Sequence, residues 1–273
     1  MNAGIRDLEI ELLLEALYRQ YHYDFRRYAR ASLTRRIEQA LIHFQCSSVS
    51  MLQGRALHEP EIVPRLVQLL TVQVSDMFRD PGYYRALRAQ VMPTLATYPS
   101  LKIWIAGCSA GEEAYSLAIM LAEEGLLERS LLYATDINTD SLRKAEAGVY
   151  DLGRMRQFTE NHRLAGGGSS LSDWYHARGD GAVMAPQLRR HITFSDHSLA
   201  TDQVFSEMQF VSCRNVLIYF DRELQSRALG LFREALCMRG FLALGSQESL
   251  RFSDHAEAFG ELDREHRLYR KVA

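Results

Sequence analysis

From Lys102 onward the chain alternates short runs of β-forming residues with helical stretches, and this rhythm limits its fold more than any other feature. The order is Lys102–Ala106 (KIWIA), a helix from Glu112, Leu131–Thr135 (LLYAT), a helix near Ser141, Gln209–Cys213 (QFVSC), a helix near Asp221, and Phe241–Gly245 (FLALG). Strands separated by helices cannot form tight hairpins, so they pair in parallel and need cover on both faces. The predicted class is therefore α/β. Two features interrupt the rhythm. Residues 165–172, AGGGSSLS, read as a flexible loop, because three consecutive glycines give the backbone little reason to order. The segment from Trp174 to Phe194 reads as short strands inserted in the main domain.

The 273 residues exceed what one hydrophobic core usually supports. The first hundred carry helical periodicity and almost no strand signal, which predicts a helical module before the sheet. Leu33, Ile37, Leu41 and Phe44 mark its clearest apolar stripe, with Ser32 as the expected N-cap and Arg36, Gln39 and His43 on the other face. The expected boundaries are 1–90 for the helical domain with its linker and 91–273 for the sheet domain, with the small β-insert at about 160–192.

With 47% apolar and 24% charged residues the chain has the balance of an ordinary globular protein. No apolar run approaches the ~18 residues of a membrane span, and the acid-rich start lacks a basic export signal. Cys46, Cys108, Cys213 and Cys237 are scattered and make no metal or disulfide pattern, so they read as reduced cytoplasmic thiols. A net charge of -2 offers no global attraction to nucleic acid. Locally, Arg19, Arg26, Arg27, Arg30, Arg35 and Arg36 face a single acid, Asp24, within the same stretch. That run is either a solvated helix face or a dock for an acidic partner.

Three loops carry chemistry. Gly107-Cys108-Ser109-Ala110-Gly111-Glu112-Glu113 follows the first strand and opens a helix, where backbone can approach a ligand closely. It lacks the glycine spacing of dinucleotide and phosphate loops. Two acids at the helix start would repel a pyrophosphate but suit a ligand with positive charge, such as S-adenosylmethionine. Asp136 ends the second strand 25 residues past Gly111, the spacing at which a carboxylate takes a ribose diol. An N-cap role is the alternative, but Thr139 or Asp140 could cap equally well. Ser212 to Asp221, SCRNVLIYFD, puts polar groups at another carboxyl strand end, where open α/β sheets bind ligands.

These stretches resemble the CheR-type methyltransferases that act on glutamates of bacterial chemoreceptors. Leu70–Pro81 (LTVQVSDMFRDP), the Gly107–Tyr115 loop, Ala134–Ile137 and Cys213–Asp221 carry the resemblance, with Gly240–Ser246 and Leu268–Lys271 at the end. It spans about residue 10 to the C-terminus. Departures include Gln73, Ser75, Ala114 and Ser198 at positions where the family has Asn, Thr, Pro and Asn, and Gln247 inside the G-x-S-E ending.

The resemblance implies a class I (Rossmann-like) S-adenosylmethionine-dependent methyltransferase domain, an N-terminal all-helical domain and a small inserted β-subdomain. By matching positions, Gln73, Ser75 and Arg79 would meet the methionine end of the cofactor, Glu112 its amino group, and Asp136 the ribose. Gly107 lies in the glycine turn of the same site, Ser198 and Leu199 near the adenine, and Arg214 and Asn215 at the pocket's closure. Tyr219 would stand beside the transferable methyl, with Arg214 helping to position the acceptor. Arg26, Arg27, Arg30, Arg35 and Arg36 would dock the cytoplasmic helices of the receptor. The implied product is S-adenosylhomocysteine, with no metal, no nucleic acid, no membrane insertion, a cytoplasmic location and a monomeric state expected. The competing expectations are a non-catalytic S-adenosylmethionine sensor or partner-binding module, and a methyltransferase for small molecules or nucleic acid.

Overall fold

The computed structural model describes residues 3–72, 74–251 and 253–273. Six helices come first: α1 (Ala3–Tyr21), α2 (Arg30–His43), α3 (Val49–His58), α4 (Val63–Leu70), α5 (Pro81–Ala86) and α6 (Met92–Leu95). Then follow β1 (Leu101–Ala106), α7 (Glu112–Glu123), β2 (Ser130–Asp136), α8 (Thr139–Ala147), β3 (Val149–Asp151), α9 (Met155–Leu164), β4 (Tyr175–Arg178) and β5 (Gly181–Met184). The chain ends with α10 (Pro186–Arg189), β6 (Ile192–Asp196), β7 (Met208–Cys213), α11 (Arg222–Ala235), β8 (Leu236–Leu244), β9 (Phe259–Asp263) and β10 (Leu268–Lys271).

Seven strands form the main sheet in the order β6-β2-β1-β7-β8-β10-β9. The first five are mutually parallel, and β10 runs antiparallel to both β8 and β9. Side chains alternate across it as a strand requires. Ile103, Ile105, Phe210, Phe241 and Ala243 enter the core under α7, whereas Trp104, Val211 and Leu242 enter the core under α11. Helix α7 is apolar on nearly every side, since Ala114, Leu117, Ala118, Ile119, Met120 and Leu121 are all buried. A helix of that kind needs a second cover. Tyr150, Ala182, Met184 and Leu188, from the small sheet and α10, provide it within the same core.

The insert begins earlier and ends earlier than the sequence suggested. Its sheet has the order β3-β5-β4 and takes its first strand at Val149–Asp151. Ile192–Asp196, read from sequence as part of the insert, pairs instead with Leu132–Asp136 as the edge of the main sheet. The domain junction also moves. Residues from Ile10 to Leu70 form a separate helical core, but Met77, Phe78, Tyr83, Tyr84 and Leu87 to Leu95 pack into the core of the sheet domain. By packing, the change of domain falls between Leu70 and Met77 rather than at residue 90.

The start of α2 corrects another expectation. Its N-cap is Ala29, with no side-chain cap, and Ser32 lies inside the first turn. Tertiary pairing sets this start: Ala29 N–H donates to the Tyr219 carbonyl at 2.7 Å, Asp221 N–H donates to Arg27 at 2.8 Å, and Tyr28 and Phe220 form an antiparallel bridge. The buried stripe then runs through Leu33, Ile37 and Ala40.

The glycine-rich loop is ordered by a carboxylate. Glu123, at the end of α7, accepts from Gly168 N–H at 3.1 Å, from Ser169 N–H at 3.0 Å and from the Ser169 hydroxyl. Arg88 and His162 complete its shell, with His162 Nε2 at 3.0 Å. Burial works to raise the Glu123 pKa, but the hydrogen bonds from His162, Ser169 and Arg88 outweigh it and bring it down to about 2. Glu123→Ala should therefore cost about 3 kcal/mol of stability, because it removes the shared acceptor of Arg88, His162 and the Gly168 and Ser169 N–H groups and leaves Arg88 with Glu124 alone as a counter-ion. A depressed folded-state pKa stabilises above the ordinary value of 4.5 and is lost as pH falls towards 2. Thermal denaturation should show the gap between wild type and Glu123→Gln closing over that interval.

Candidate functional site

A cavity with about 1240 Å³ of unfilled space, part of it continuous with solvent, opens at the carboxyl ends of the parallel strands. It lies where the strand order reverses between β1 and β7, the usual ligand site of open α/β sheets. Its wall combines the loops after β1, β2, β6 and β7 with the interdomain segment 70–79 and residues of α2.

The loop after β1 needs its glycines for packing. Gly107 has φ +74° and a Cβ there would fall 2.4 Å from Val216 Cγ2, while Gly111 has φ +90° and abuts Ala145. Ser109, between them, is also left-handed. Its N–H donates to Asp136 Oδ2 at 2.8 Å, and Asn138 N–H donates to Asp136 Oδ1 at 2.9 Å. Asp136 thus holds two loops together and keeps further lone pairs facing the cavity that it lines. Burial raises its pKa despite these backbone hydrogen bonds. Asp136 is not the cap of α8. Asn138 is, accepting from Asp140 and Ser141 N–H at 3.0 and 3.1 Å.

Arg214 is buried at the end of β7. It pairs with Asp80 Oδ2 at 2.7 Å, lies 3.9 Å from Glu113 Oε2, and stacks over Tyr83 at 3.9 Å from the ring centre. Ser212 donates to the other oxygen of Glu113. The following loop, with Asn215 at φ +62°, is fixed by Glu248. One oxygen of Glu248 accepts from Val216 N–H at 2.8 Å and Leu217 N–H at 2.7 Å, and the other accepts from Asn215 N–H at 3.1 Å and from Gly245 N–H. Burial pushes the Glu248 carboxyl up, and these four donors pull against it. Both nearby thiols, Cys108 and Cys213, are pushed well up by burial, which removes them as nucleophiles at neutral pH.

Of the residues singled out from the sequence, Ser75, Arg79, Gly107, Asp136, Leu199, Arg214, Asn215, Tyr219 and Arg36 line this one cavity. Gln73 lies outside the described residues. Glu112 is buried next to this wall and pairs with Arg154 at 3.1 Å, its other oxygen has no partner among the described residues, and its neighbour Glu113 lines the cavity. Ser198 is absent from the wall because its hydroxyl closes a turn to Ala200 N–H at 3.3 Å. Its neighbour His197 is there instead.

The surface arginines are mostly paired within the protein. Arg26 pairs with Asp24 and Glu15, Arg27 with Glu223 and Asp221, and Arg30 with Asp7, all outside the cavity. Acids from distant parts of the chain offset most of the local excess of charge. Arg35 is exposed with no ion pair among the described residues.

Residues that sequence reasoning missed are Glu248, His197, Asp80 and Arg154, whereas Glu113 was one of the two acids read at the helix start. Arg154 donates to the Ser75 carbonyl and pairs with Asp76 and Glu112 at 3.1 Å each, pinning the interdomain segment to the sheet domain. Asp80 was within reach, since it stands before Pro81 at the end of the Leu70–Pro81 motif; Arg154 carried no signal at all.

The wall's chemistry fits a nucleoside with a cationic sulfur. Asp76, Glu113 and Asp136 face it with carboxylates, and His197 brings a buried Nδ1 without a partner among the described residues. A strand order of this kind around such a wall is that of a nucleoside-binding α/β protein. Residues 73–267 match the family model of the CheR methyltransferase SAM-binding domain, and residues 8–71 match that of its all-alpha domain. The chain belongs to the CheR methyltransferase family, and is an S-adenosylmethionine-dependent methyltransferase of the kind used in chemotaxis. It is similar to Cher3 of Pseudomonas putida, 56% identical over 265 residues and 97% of each chain. It is also similar to a chemotaxis protein methyltransferase of Listeria monocytogenes, 29% identical over 90% of this chain and 92% of that one. Chemotaxis protein methyltransferase 2 of Pseudomonas aeruginosa is 31% identical over 74% of this chain and 69% of its own. No described helix is long and apolar enough to cross a membrane.

Because Glu248 gathers four backbone donors, Glu248→Ala should cost about 3 kcal/mol and lower the midpoint of thermal unfolding by roughly 6–12 °C. A midpoint unchanged within 2 °C in differential scanning calorimetry would contradict this account.

Proposed function

We propose that this chain transfers the methyl group of S-adenosylmethionine to side-chain carboxylates of glutamates on chemoreceptor helices, giving glutamate methyl esters. The observation that carries the reading is that one cavity is lined by Asp136 and Glu113 together with Arg36, Arg79, Arg214 and Tyr219. It thus offers acids for a cationic nucleoside and guanidinium groups for an acidic acceptor.

The cofactor, when bound, supplies a sulfonium methyl carbon to which the acceptor oxygen bonds as the S–CH₃ bond breaks and its electron pair stays on sulfur. Asp136 holds the ribose hydroxyls through the lone pairs not used by Ser109 and Asn138. Ser75 and Arg79 border the methionine end. Glu113, on the cavity wall, takes the place that sequence reasoning gave to Glu112. Leu199 covers the base, and Gly107 and Asn215 shape the turns around it.

A glutamate side chain has an ordinary pKa of about 4.3, so it arrives ionised and needs no general base. The protein's task is to hold oxygen and methyl in line and to exclude water, an effect worth roughly 7–11 kcal/mol. Tyr219 does this at the reacting centre, and Arg214 supports it from below. Arg214 is itself offset by Asp80 and Glu113, so it acts as a fixed wall more than as a free cation. Docking of the receptor helix rests on the exposed face of α2, where Arg35 has the charge least committed to the protein's own acids. Arg26, Arg27 and Arg30 contribute less, since exposed ion pairs already occupy them.

A purified chemoreceptor cytoplasmic fragment incubated with tritiated S-adenosylmethionine should gain label that mild base releases as methanol, the mark of a carboxyl ester. Label stable to base, or none on any receptor fragment tried, would refute the reading. Asp136→Ala should weaken binding of S-adenosylhomocysteine at least tenfold by calorimetry, about 1.4 kcal/mol. Because burial raises the Asp136 pKa, wild-type affinity should start to fall at a higher pH than an ordinary aspartate would set, as acid protonates the acceptor. Tyr219→Phe should leave that affinity within twofold while kcat falls at least tenfold.

A further inference from the structure

We infer that Arg36, contributed by the helical domain, binds the carboxylate of the methyl-accepting side chain inside the cavity, as a group separate from the surface arginines that dock the receptor. The inference rests on the acceptor being a carboxylate, as proposed above.

Three observations set Arg36 apart. It lines the cavity, whereas Arg26, Arg27 and Arg30 turn outward to acids of the protein. Its guanidinium carbon lies 5.7 Å from the centre of the Tyr219 ring, and among the described residues it donates one hydrogen bond, at 3.1 Å, to the Thr71 carbonyl. No carboxylate pairs with it among the described residues. The groups acting on it are Tyr219 and the like-charged Arg35, and burial holds its pKa below the ordinary arginine value. Of the two other guanidinium groups on this wall, Arg214 already has Asp80 and Glu113, and Arg79 is the one proposed for the methionine end of the cofactor. A half-buried cation without a counter-ion has donors to spare, and the guanidinium fork matches a carboxylate in two parallel hydrogen bonds.

The backbone explains why Arg36 reaches Tyr219. Ala29 N–H is bonded to the Tyr219 carbonyl, which anchors the start of α2 on the loop that carries the tyrosine. Arg36 follows seven residues later, two helical turns along the same face. Ser32 and Leu33, one turn back, line the same cavity. A cation here is repelled by the cofactor's sulfonium and attracted by a carboxylate, either the acceptor's or the cofactor's own, and the cofactor Kd separates the two.

The test uses the full chain and a chemoreceptor cytoplasmic fragment that the wild type methylates. Arg36→Ala should raise KM for the fragment at least tenfold, while the Kd for S-adenosylhomocysteine stays within twofold. Arg36→Lys, which keeps the charge but not the fork, should recover part of the loss, and Arg36→Gln should not. An unchanged KM in Arg36→Ala would overturn the inference and leave Arg36 as a tie to Thr71. A tenfold weaker cofactor Kd would also overturn it, because Arg36 would then hold the cofactor's own carboxylate. If Arg36→Ala unfolds, the comparison of Arg36→Lys with Arg36→Gln, both close in length, decides the matter alone. Wild-type failure to methylate any fragment would count against the proposed reaction, whereas normal wild-type activity with insensitive variants would count against Arg36 only.

Discussion

The backbone pairing of Arg27–Ala29 with Tyr219–Asp221 is the contact on which the site depends. Two cores pack on either side of it, one of helices and one built on the sheet, and Tyr28 is packed against both. The pairing fixes where α2 starts and at the same time fixes the loop that carries Tyr219. Backbone hydrogen bonds are directional and hard to satisfy any other way once buried. The cavity is therefore assembled by both domains, although the strand order alone would place it in one.

Buried carboxylates do the remaining positioning. Asp136 joins the loops after β1 and β2, Glu248 holds the loop after β7, and Glu123 ties down the glycine-rich segment beside α9. Each accepts at least two backbone N–H groups. In a loop, such donors have no ladder to join, and a carboxylate with about four acceptor positions can replace one. Raised pKa values at Asp136 and Glu248 are the cost of this arrangement, since burial opposes the charge that the loops require.

The sheet was legible because short runs of β-forming residues such as Lys102–Ala106, set between helical stretches, are a local signal, and Asp136 was legible because strand and helix lengths set its spacing. Neither reading needed distant residues. What failed was non-local. The arginine run looked unbalanced because its partners, Asp7, Glu15, Asp221 and Glu223, lie elsewhere in the chain. The glycine loop looked disordered because its anchor stands some 45 residues earlier. Glu112 and Glu113 are adjacent, and a helix turns 100° between them, so only the tertiary register of α7 decides which one faces the cavity. The strand Ile192–Asp196 was assigned to the insert because nothing in its sequence tells which of two nearby sheets it joins.

Four non-glycine residues on or next to the loops that form the cavity, Phe78, Asp80, Ser109 and Asn215, hold left-handed backbone. Each conformation costs on the order of 1 kcal/mol relative to an ordinary one. The rim is thus a place where stability has been given up for shape. Glycine at these positions would relieve the backbone strain, and the same relief would loosen the peptide groups that Asp136, Arg214 and Glu248 hold in register. For anyone seeking a hardier variant of this protein, the rim is where a gain in melting temperature would come at the expense of a defined pocket, and stabilising changes belong on the far faces of the two cores.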